Sequence, residues 1–393
     1  MTTLTSRPPG ESAVAVRRAW TNPGRITGLD AARALAVLGM FAQHFYSFSA
    51  VGGAKLLSPS TWGLLVNNNS TILFALLAGT SKALIDGGMS PGSGIAALQS
   101  RLNILGRAVV LFTVSGVLIF LVSTPGSVLG FIAAGFVISL PFLRVRSTRL
   151  FIAAGVLILV LPPLVHILRE LVFSYSMDVS SDSSISLLIT GLCPAVIFLP
   201  VYFIGIGLGR IDLRDFTNQI RILAVGIVTA TVAFLTSWIL TEQAGSMQAS
   251  VFSTEGRFAF PDWRMEYSLV MSHVNGVTQM AVGVGLAMSV IGVCLLLTRN
   301  GAINAILLPF RSLGMCAFTA YIAQFAAVLL LIDQEDYEVP AGFFWWLTLT
   351  TMLGTTLWMS IFRRGPFEDF LARFANMFAR VPSDRTHELR EAA

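Results

Sequence analysis

The sequence has few charged residues and very little cysteine or histidine. Only 12% of its 393 residues are charged, and it contains three cysteines and four histidines. The cysteines, Cys193, Cys294 and Cys316, all lie inside apolar runs, which excludes a disulfide framework and a Cys-x-x-Cys metal site. The net charge is +5, but the basic residues are scattered in short clusters and form no basic face. No nucleic-acid partner is therefore expected.

Apolar residues are what the sequence has in excess. Hydrophobic residues make up 54% of the chain, and its mean hydropathy is +0.74. One water-soluble core cannot bury this much apolar surface. The 28 Phe, 7 Trp and 34 Gly are typical of lipid-facing helices that pack closely against each other. The sequence therefore predicts an all-α, polytopic integral membrane protein.

A window of about twenty residues, the length that crosses a bilayer as a helix, predicts about ten transmembrane helices. These candidate spans are 29–50, 63–86, 101–123, 127–143, 149–168, 185–209, 221–241, 276–298, 304–332 and 341–362. The N-terminal residues lack the apolar segment of a signal peptide. We expect a disordered cytoplasmic tail over 1–24, a single transmembrane domain over 25–373 and a cytoplasmic tail over 374–393.

The distribution of positive charge orients these spans, because basic loops are retained in the cytoplasm. If the N-terminus is cytoplasmic, all but four of the 26 Lys and Arg residues fall on the inner side, Lys82 and Arg210 among them. The outer loops collect acidic residues instead, as in residues 333–338. Both termini are therefore predicted to be cytoplasmic.

Three ionisable residues fall in the first span, where each costs a few kcal/mol of insertion free energy. Asp30 and Arg33 are three residues apart and can pair. His44 lies eleven residues beyond Arg33, about 20° from the same helix face and about 16 Å further along the axis. This stripe is either a functional site or a structural feature, with an interfacial pair and a histidine that hydrogen-bonds a neighbouring helix. The spacing leaves both interpretations open.

Further polar residues are predicted on the outer side with His44. Asn69 belongs to a polar run, residues 67–71, that either lines a cavity or caps the second span. His273 precedes the eighth span at the same level. No metal-ligand spacing accompanies the two histidines, so no metal site is expected. The glycines of residues 205–209 end an apolar helix and are interpreted as a close helix contact.

Residues Arg25 to His44 follow the pattern R-[IL]-x-x-[LV]-D-x-x-R-[GA]-x-A-x-x-G-M-x-x-x-H. This pattern resembles the opening of YeiB-like and heparan-α-glucosaminide N-acetyltransferase-like membrane proteins. Later segments resemble motifs of the same group, at residues 74–79, 200–213, 273–276, 314–324 and 365–368. The resemblance extends from about residue 25 to residue 373, which is nearly the whole chain.

The resemblance implies transmembrane acyl transfer from a cytosolic acyl-CoA, with acetyl-CoA expected, to a hydroxyl or amine of an envelope glycan or lipid. His44 would be the catalytic base or a transient acyl carrier, assisted by His273. Asp30 and Arg33 would bind CoA, because guanidinium groups bind phosphate. The acceptor would be contacted by Asn69, Tyr321 and Gln324.

Acyl-CoA is thus expected as a co-substrate, without a tightly bound cofactor. The other expected partners are the acceptor and the bilayer of the plasma membrane, and a homodimer is left open. The pantetheine arm would have to follow a solvent-reachable tunnel between Arg33 and His44, about 16 Å apart. The alternative function is a transporter or exporter without acyl transfer, in which the same polar residues bind a substrate or relay protons.

Overall fold

The computed structural model describes residues 24–46, 66, 68–122, 128–173, 195–242, 276–332 and 339–380. Every regular element within these ranges is helical. The first seven α-helices are α1 (Thr27–Phe45), α2 (Asn69–Ile85), α3 (Gly94–Leu121), α4 (Leu129–Ile138), α5 (Ser147–Phe173), α6 (Leu199–Gly209) and α7 (Phe216–Glu242). The remaining α-helices are α8 (Val277–Leu297), α9 (Gly301–Ile306), α10 (Leu308–Met315), α11 (Ala317–Leu331), α12 (Phe343–Ile361) and α13 (Pro366–Phe378). A 3₁₀-helix, Leu140–Arg144, follows α4.

The first helix, α1, lies at the centre of the bundle. It contacts α2, α8, α10, α11 and α12. Small residues along α1 permit this, since a Cβ at Gly28 would lie 2.6 Å from the backbone of Leu295 in α8, and a Cβ at Gly39 would overlap the Ser70 side chain in α2. Most residues of α1 are therefore buried inside the bundle.

Glycines bring other helix pairs equally close. A Cβ at Gly205 of α6 would lie 2.3 Å from the backbone oxygen of Leu76 in α2. A Cβ at Gly285 of α8 would lie 2.4 Å from the backbone nitrogen of Ala230 in α7. Both distances are too short for any side chain larger than glycine without movement of the helices. The predicted small-residue contact at residues 205–209 is confirmed.

Four helices within the described ranges are long and apolar enough to cross a bilayer. They are Gly94–Leu121 in α3, Ser147–Val165 in α5, Phe216–Ile239 in α7 and Val277–Leu297 in α8. The other predicted spans correspond to helices that are shorter or carry more polar residues, so the count of ten is not confirmed. The predicted class, an all-α membrane protein, is confirmed, because the described elements are helices and four of them are long and apolar enough to span a bilayer.

The ninth predicted span is not one straight helix. Within residues 304–332, α10 and α11 meet at Met315 and Cys316 with a bend of 80°. The prediction of a continuous helix there is wrong, because hydropathy measures composition and does not register a change in direction. If the bent pair crosses the membrane as one element, the count of spanning elements among the described residues rises to five.

The last helix, α13, was not among the predicted spans. It packs across α3, where Asn103 Nδ2 donates to Asn376 Oδ1 (2.8 Å) and a Cβ at Gly106 would lie 3.0 Å from the Cα of Ala375. Phe370 on this helix is exposed. A helix with one packed face and one exposed aromatic face is typical of a helix lying at a membrane surface.

The antiparallel packing of α1 and α2 defines two sides of the molecule. His44 and Asn69 lie at the helix ends on one side, which we call the histidine side. Arg33 lies toward the opposite end of α1, on what we call the arginine side. The charge distribution predicts that the arginine side is cytoplasmic.

Candidate active site

On the arginine side, α1 places a buried carboxylate between two guanidinium groups. Arg25 Nε donates to Asp30 Oδ2 (2.5 Å), and Arg33 Nη1 donates to Asp30 Oδ1 (2.6 Å). The Asp30 side chain is 1% exposed, whereas those of Arg25 and Arg33 are 30% and 25% exposed. Arg33 also donates to Ser81 Oγ of α2 (3.1 Å). The predicted Asp30–Arg33 pair exists, and its carboxylate orients a second arginine as well.

A third arginine reaches this position because α10 crosses α1 with no side chain between the backbones. A Cβ at Gly314 would lie only 1.7 Å from the backbone oxygen of Asp30. One turn earlier on α10, Arg311 is buried and interacts electrostatically with Asp30 and Arg25. We call Arg25, Asp30, Arg33 and Arg311 the arginine cluster. Its three guanidinium groups outnumber Asp30 and the nearby carboxylate of Glu368, which leaves the positive charge that phosphate groups bind.

On the histidine side, His44 of α1 adjoins Gln324 of α11. Gln324 is fully buried, and His44 is partly buried. His44 Nδ1 and both amide atoms of Gln324 are buried, and none of the three makes a hydrogen bond of ordinary geometry with a described residue. Buried polar atoms in proteins are nearly always hydrogen-bonded. Two adjoining side chains with unused hydrogen-bonding capacity are therefore suited to bind a reacting molecule, and we call them the His44–Gln324 pair.

Tyr321 lies one turn before Gln324 and holds α11 in place. Its hydroxyl accepts a hydrogen bond from the backbone nitrogen of Val128 (2.8 Å), at the start of α4. Its ring lies 5.3 Å from the ring of Phe325, measured between centroids. These contacts fix the helix that carries Gln324, while a direct role of Tyr321 in substrate binding stays a prediction.

Asn69 connects α2 to α8. Its Oδ1 accepts a hydrogen bond from Gln279 Nε2 (3.3 Å), and the glycine at position 283 leaves room for the Asn69 side chain. Asn69 is 5% exposed, so it lies inside the bundle on the histidine side. His273, the second predicted catalytic residue, lies outside the described residues.

The face of α1 between Arg33 and His44 is filled with side chains. Val37 and Met40 lie on this face, and they are 0% and 1% exposed. Side chains with so little exposure do not border a space of the size of a water molecule. Along this face, apolar packing of described residues therefore separates the arginine cluster from the His44–Gln324 pair, and the expected tunnel between Arg33 and His44 stays a prediction.

Glu368 was missed as an individual residue, although the motif at residues 365–368 was noted. Its Oε1 accepts hydrogen bonds from the backbone nitrogens of Phe318 (2.7 Å) and Thr319 (3.0 Å), and its Oε2 accepts one from Thr319 Oγ1 (2.5 Å). The carboxylate of α13 therefore caps the first turn of α11, where the helix dipole favours negative charge. Glu368 also interacts electrostatically with Arg33. The hydrogen bonds from Phe318 and Thr319 to Glu368 tie α13 to α11, the helix that carries Gln324.

Lys82 is the second residue whose surroundings the sequence did not indicate. It was counted among the inner-side basic residues, but it is fully buried. Its amine donates to Ser139 Oγ and to the backbone oxygen of Gly135 (3.3 Å), and it lies 4.7 Å from the centre of the Tyr202 ring. Within the described ranges, it forms no ion pair with a carboxylate. A single lysine near a predicted helix end gave no signal that would separate this interior position from a flanking one.

Together, these features define a class of membrane protein with an interior polar site. A charged cluster lies at one side of the bundle and an imidazole next to an amide lies toward the other, which is typical of membrane enzymes and carriers. The comparison with known families makes the class specific.

The chain belongs to the heparan-alpha-glucosaminide N-acetyltransferase family. The family described as "Heparan-alpha-glucosaminide N-acetyltransferase, catalytic" matches residues 25–241, which is more than half of the chain. The family described as "Protein of unknown function (DUF418)" matches residues 212–377. No curated protein and no solved structure shows significant similarity to the chain. The family indicates a transmembrane acetyltransferase-like function, and the resemblance inferred from the motifs is confirmed.

Proposed function

We propose that the protein transfers an acyl group, with acetyl expected, from acyl-CoA on the arginine side to an acceptor on the histidine side. The observation that supports this most strongly is the His44–Gln324 pair, which adjoins across α1 and α11 and whose buried polar atoms make no hydrogen bond of ordinary geometry with a described residue. Imidazole is the side chain best suited to exchange protons near neutral pH. His44 lies within the segment that matches the catalytic family.

The reaction breaks the C–S bond of the thioester and forms an ester or an amide. In one route, His44 removes the proton of the acceptor hydroxyl or amine during attack on the acyl carbon, and the departing thiolate receives that proton. In the other route, the imidazole attacks first, the thiol leaves, and the acyl-imidazole then acylates the acceptor. In both routes, the amide N–H of Gln324 donates to the acyl oxygen, where negative charge develops.

The arginine cluster would hold the phosphates of CoA. Asp30 keeps two guanidinium groups oriented, and the exposed fractions of Arg25 and Arg33 leave them accessible. For the pantetheine arm to reach His44 along α1, Val37 and Met40 must move apart from the facing helices. The acceptor is an envelope glycan or lipid, and the site of action is the plasma membrane.

The test uses the purified protein in lipid nanodiscs with radiolabelled acetyl-CoA, and it measures thiol release and transfer of label. His44→Ala should reduce turnover by about 10²–10⁴-fold, the usual contribution of a positioned acid or base. His387→Ala, the same substitution in the C-terminal segment, should leave turnover unchanged. Full activity of His44→Ala would contradict the proposal. A burst of one thiol per chain without acceptor would favour the acyl-carrier route over the base route.

A second candidate function, a carrier without acyl transfer, is favoured by one observation. The bend of 80° between α10 and α11 resembles the discontinuous helices that form substrate sites in transporters. If this function is correct, CoA does not stabilise the protein against thermal unfolding. Acyl-CoA also keeps its acyl group when it is incubated with the protein. Stabilisation by CoA that is lost in Arg33→Ala would exclude the carrier.

A further inference from the structure

A cavity of about 360 Å³ lies between α5, α7 and α8, and none of the candidate site residues described above lines it. Its lining is almost wholly apolar and includes Leu159 of α5, Val228 and Val232 of α7, and Val277 and Ala281 of α8. Its volume falls in the range of cavities that bind small molecules. We call it the α7–α8 groove.

The groove exists because α7 and α8 touch closely at one end and not at the other. A Cβ at Gly292 would lie 2.8 Å from the Cβ of Leu223, and a Cβ at Gly226 would lie 2.6 Å from the backbone nitrogen of Ser289. These contacts lie toward the arginine side. Toward the histidine side, larger residues such as Val232 and Val277 replace the glycines, and the groove lies between them.

The groove has a buried floor and exposed rims. On the floor, Val277 is 4% exposed, whereas the rim residues Leu159 and Val228 are each 61% exposed. The rims continue into the most exposed spanning segments of the molecule, since only 28% of the α5 segment and 22% of the α7 segment are buried. In a bilayer these surfaces contact hydrocarbon. The groove is thus continuous with the lipid-facing surface, and an alkyl chain is the occupant that its chemistry fits.

The floor of the groove is adjacent to a polar contact inside the bundle. Thr278 lines the groove, and the next residue, Gln279, donates to Asn69 on the histidine side. A lipid whose chain lies in the groove would therefore have its headgroup at the end of the bundle where acyl transfer is proposed to deliver its product.

We propose that the α7–α8 groove holds the alkyl chain of a lipid-linked acceptor, so that the molecule acylated by this protein carries a hydrocarbon chain. This inference rests on the proposed acyltransferase function and specifies the acceptor class. The chain of the acceptor binds from within the bilayer, while its hydroxyl or amine reaches the histidine side.

The first experiment tests whether a chain occupies the groove. Nanodiscs contain a phospholipid with a diazirine in the middle of its acyl chain, and labelled residues are mapped by mass spectrometry after illumination. Label should concentrate at Val228, Val232 and Ala281. Ala281→Phe should remove it by filling the groove. Ala224→Phe, the same substitution at an exposed position of α7 outside the groove, should not.

The second experiment identifies whether the occupant is the acceptor. Dodecyl β-glucoside and methyl β-glucoside present the same hydroxyls with and without a chain, and each is offered with radiolabelled acetyl-CoA. Dodecyl β-glucoside should have a KM at least about tenfold lower, since burial of two methylene groups already supplies that factor. Ala281→Phe should abolish this difference without changing thiol release with methyl β-glucoside, and Ala224→Phe should preserve the difference.

The outcomes separate the acceptor from bulk lipid and from failure of the proposed function. Label in the groove that dodecyl β-glucoside does not displace, or a KM difference that Ala281→Phe does not change, would mean that only bulk lipid occupies the groove and would overturn the inference. An enzyme that releases thiol but acetylates only methyl β-glucoside would overturn it as well. Absence of thiol release in the unmodified protein would instead overturn the acyltransferase function, with the labelling pattern still reporting the chain.

Discussion

Gln324 is the residue whose substitution should raise the stability of the protein and lower its activity. It is fully buried, and its amide makes no hydrogen bond of ordinary geometry with a described residue, so Gln324→Leu removes a desolvated polar group whose described side-chain partner is His44. We expect the free energy of unfolding in detergent to rise by about 1 kcal/mol. Acyl transfer should fall by about 10²-fold or more, because the donor to the acyl oxygen is lost.

A second buried glutamine provides the control for this prediction. Gln219 is 3% exposed, and its Nε2 donates to the backbone oxygen of Leu213 (2.8 Å). Gln219→Leu breaks that bond and should lower the free energy of unfolding by about 1–3 kcal/mol. If thermal unfolding shows that Gln324→Leu destabilises the protein as much as Gln219→Leu does, then Gln324 has a structural partner and the proposed role is wrong.

Asp30 allows a prediction about the arginine cluster. Asp30→Asn removes a carboxylate that is 1% exposed and leaves two guanidinium groups without their shared partner. We expect a loss of about 3 kcal/mol in the free energy of unfolding. Asp369→Asn, at the exposed Asp369–Arg373 pair, should change it by less than about 1 kcal/mol. Equal shifts in thermal midpoint for the two variants would mean that the cluster does not depend on Asp30.

The sequence predicted local contacts of the site and missed distant ones. The Asp30–Arg33 pair follows from helical spacing and is present. By contrast, His44 and Gln324 are 280 residues apart in the chain, and each was proposed from a motif without any indication that they adjoin. Arg311 joins the arginine cluster through the packing of α10, and Glu368 interacts with Arg33 through the packing of α13, contacts that no spacing rule along one helix describes.

At the scale of the elements, hydropathy predicted where apolar segments lie and not how they are shaped. The bend between α10 and α11 occurs at Met315 and Cys316, without proline or a polar residue to mark it. Tertiary packing explains the bend better, because Glu368 caps the new helix start and Gly314 packs against α1. The amphipathic helix α13 was missed because it has only 13 residues and three of them are charged, which lowers the mean hydropathy of a twenty-residue window.

Gly314 permits a test of the close contact between α1 and α10. Gly314→Ala places a Cβ 1.7 Å from the backbone of Asp30, so α1 and α10 must separate. We expect a loss of about 3 kcal/mol or more in the free energy of unfolding. Gly116→Ala on α3 introduces the same methyl group into open space and should not destabilise the protein. A thermal midpoint for Gly314→Ala as high as that of Gly116→Ala would contradict the close contact between α1 and α10.

At the scale of the whole molecule, composition alone predicted the class correctly, because no soluble fold accommodates a mean hydropathy of +0.74. The number of spans was less predictable, since α4 and α6 are only 10 and 11 residues long. Helices of this length do not cross a bilayer alone. They lie against longer neighbours, such as α3 for α4 and α5 for α6. Such short interior helices give the same apolar signal as a spanning helix.

The two polar regions lie apart along α1, so the proposed acyl transfer has a direction across the membrane. Acyl-CoA should be used only from the arginine side, and the product should form only on the histidine side. The C-terminal helix α13 contacts the start of α11 on the arginine side, so a C-terminal tag reports the orientation of each molecule in a vesicle.

The most direct test is acyl transfer across a sealed proteoliposome. Vesicles are selected with the C-terminal tag outside, dodecyl β-glucoside is confined to the inner leaflet and lumen, and radiolabelled acetyl-CoA is added outside. We expect labelled glucoside inside the vesicles, no labelling in vesicles of the opposite orientation, and no labelling with His44→Ala. Labelling that requires donor and acceptor on the same side, or that persists without His44, would contradict the proposed transfer.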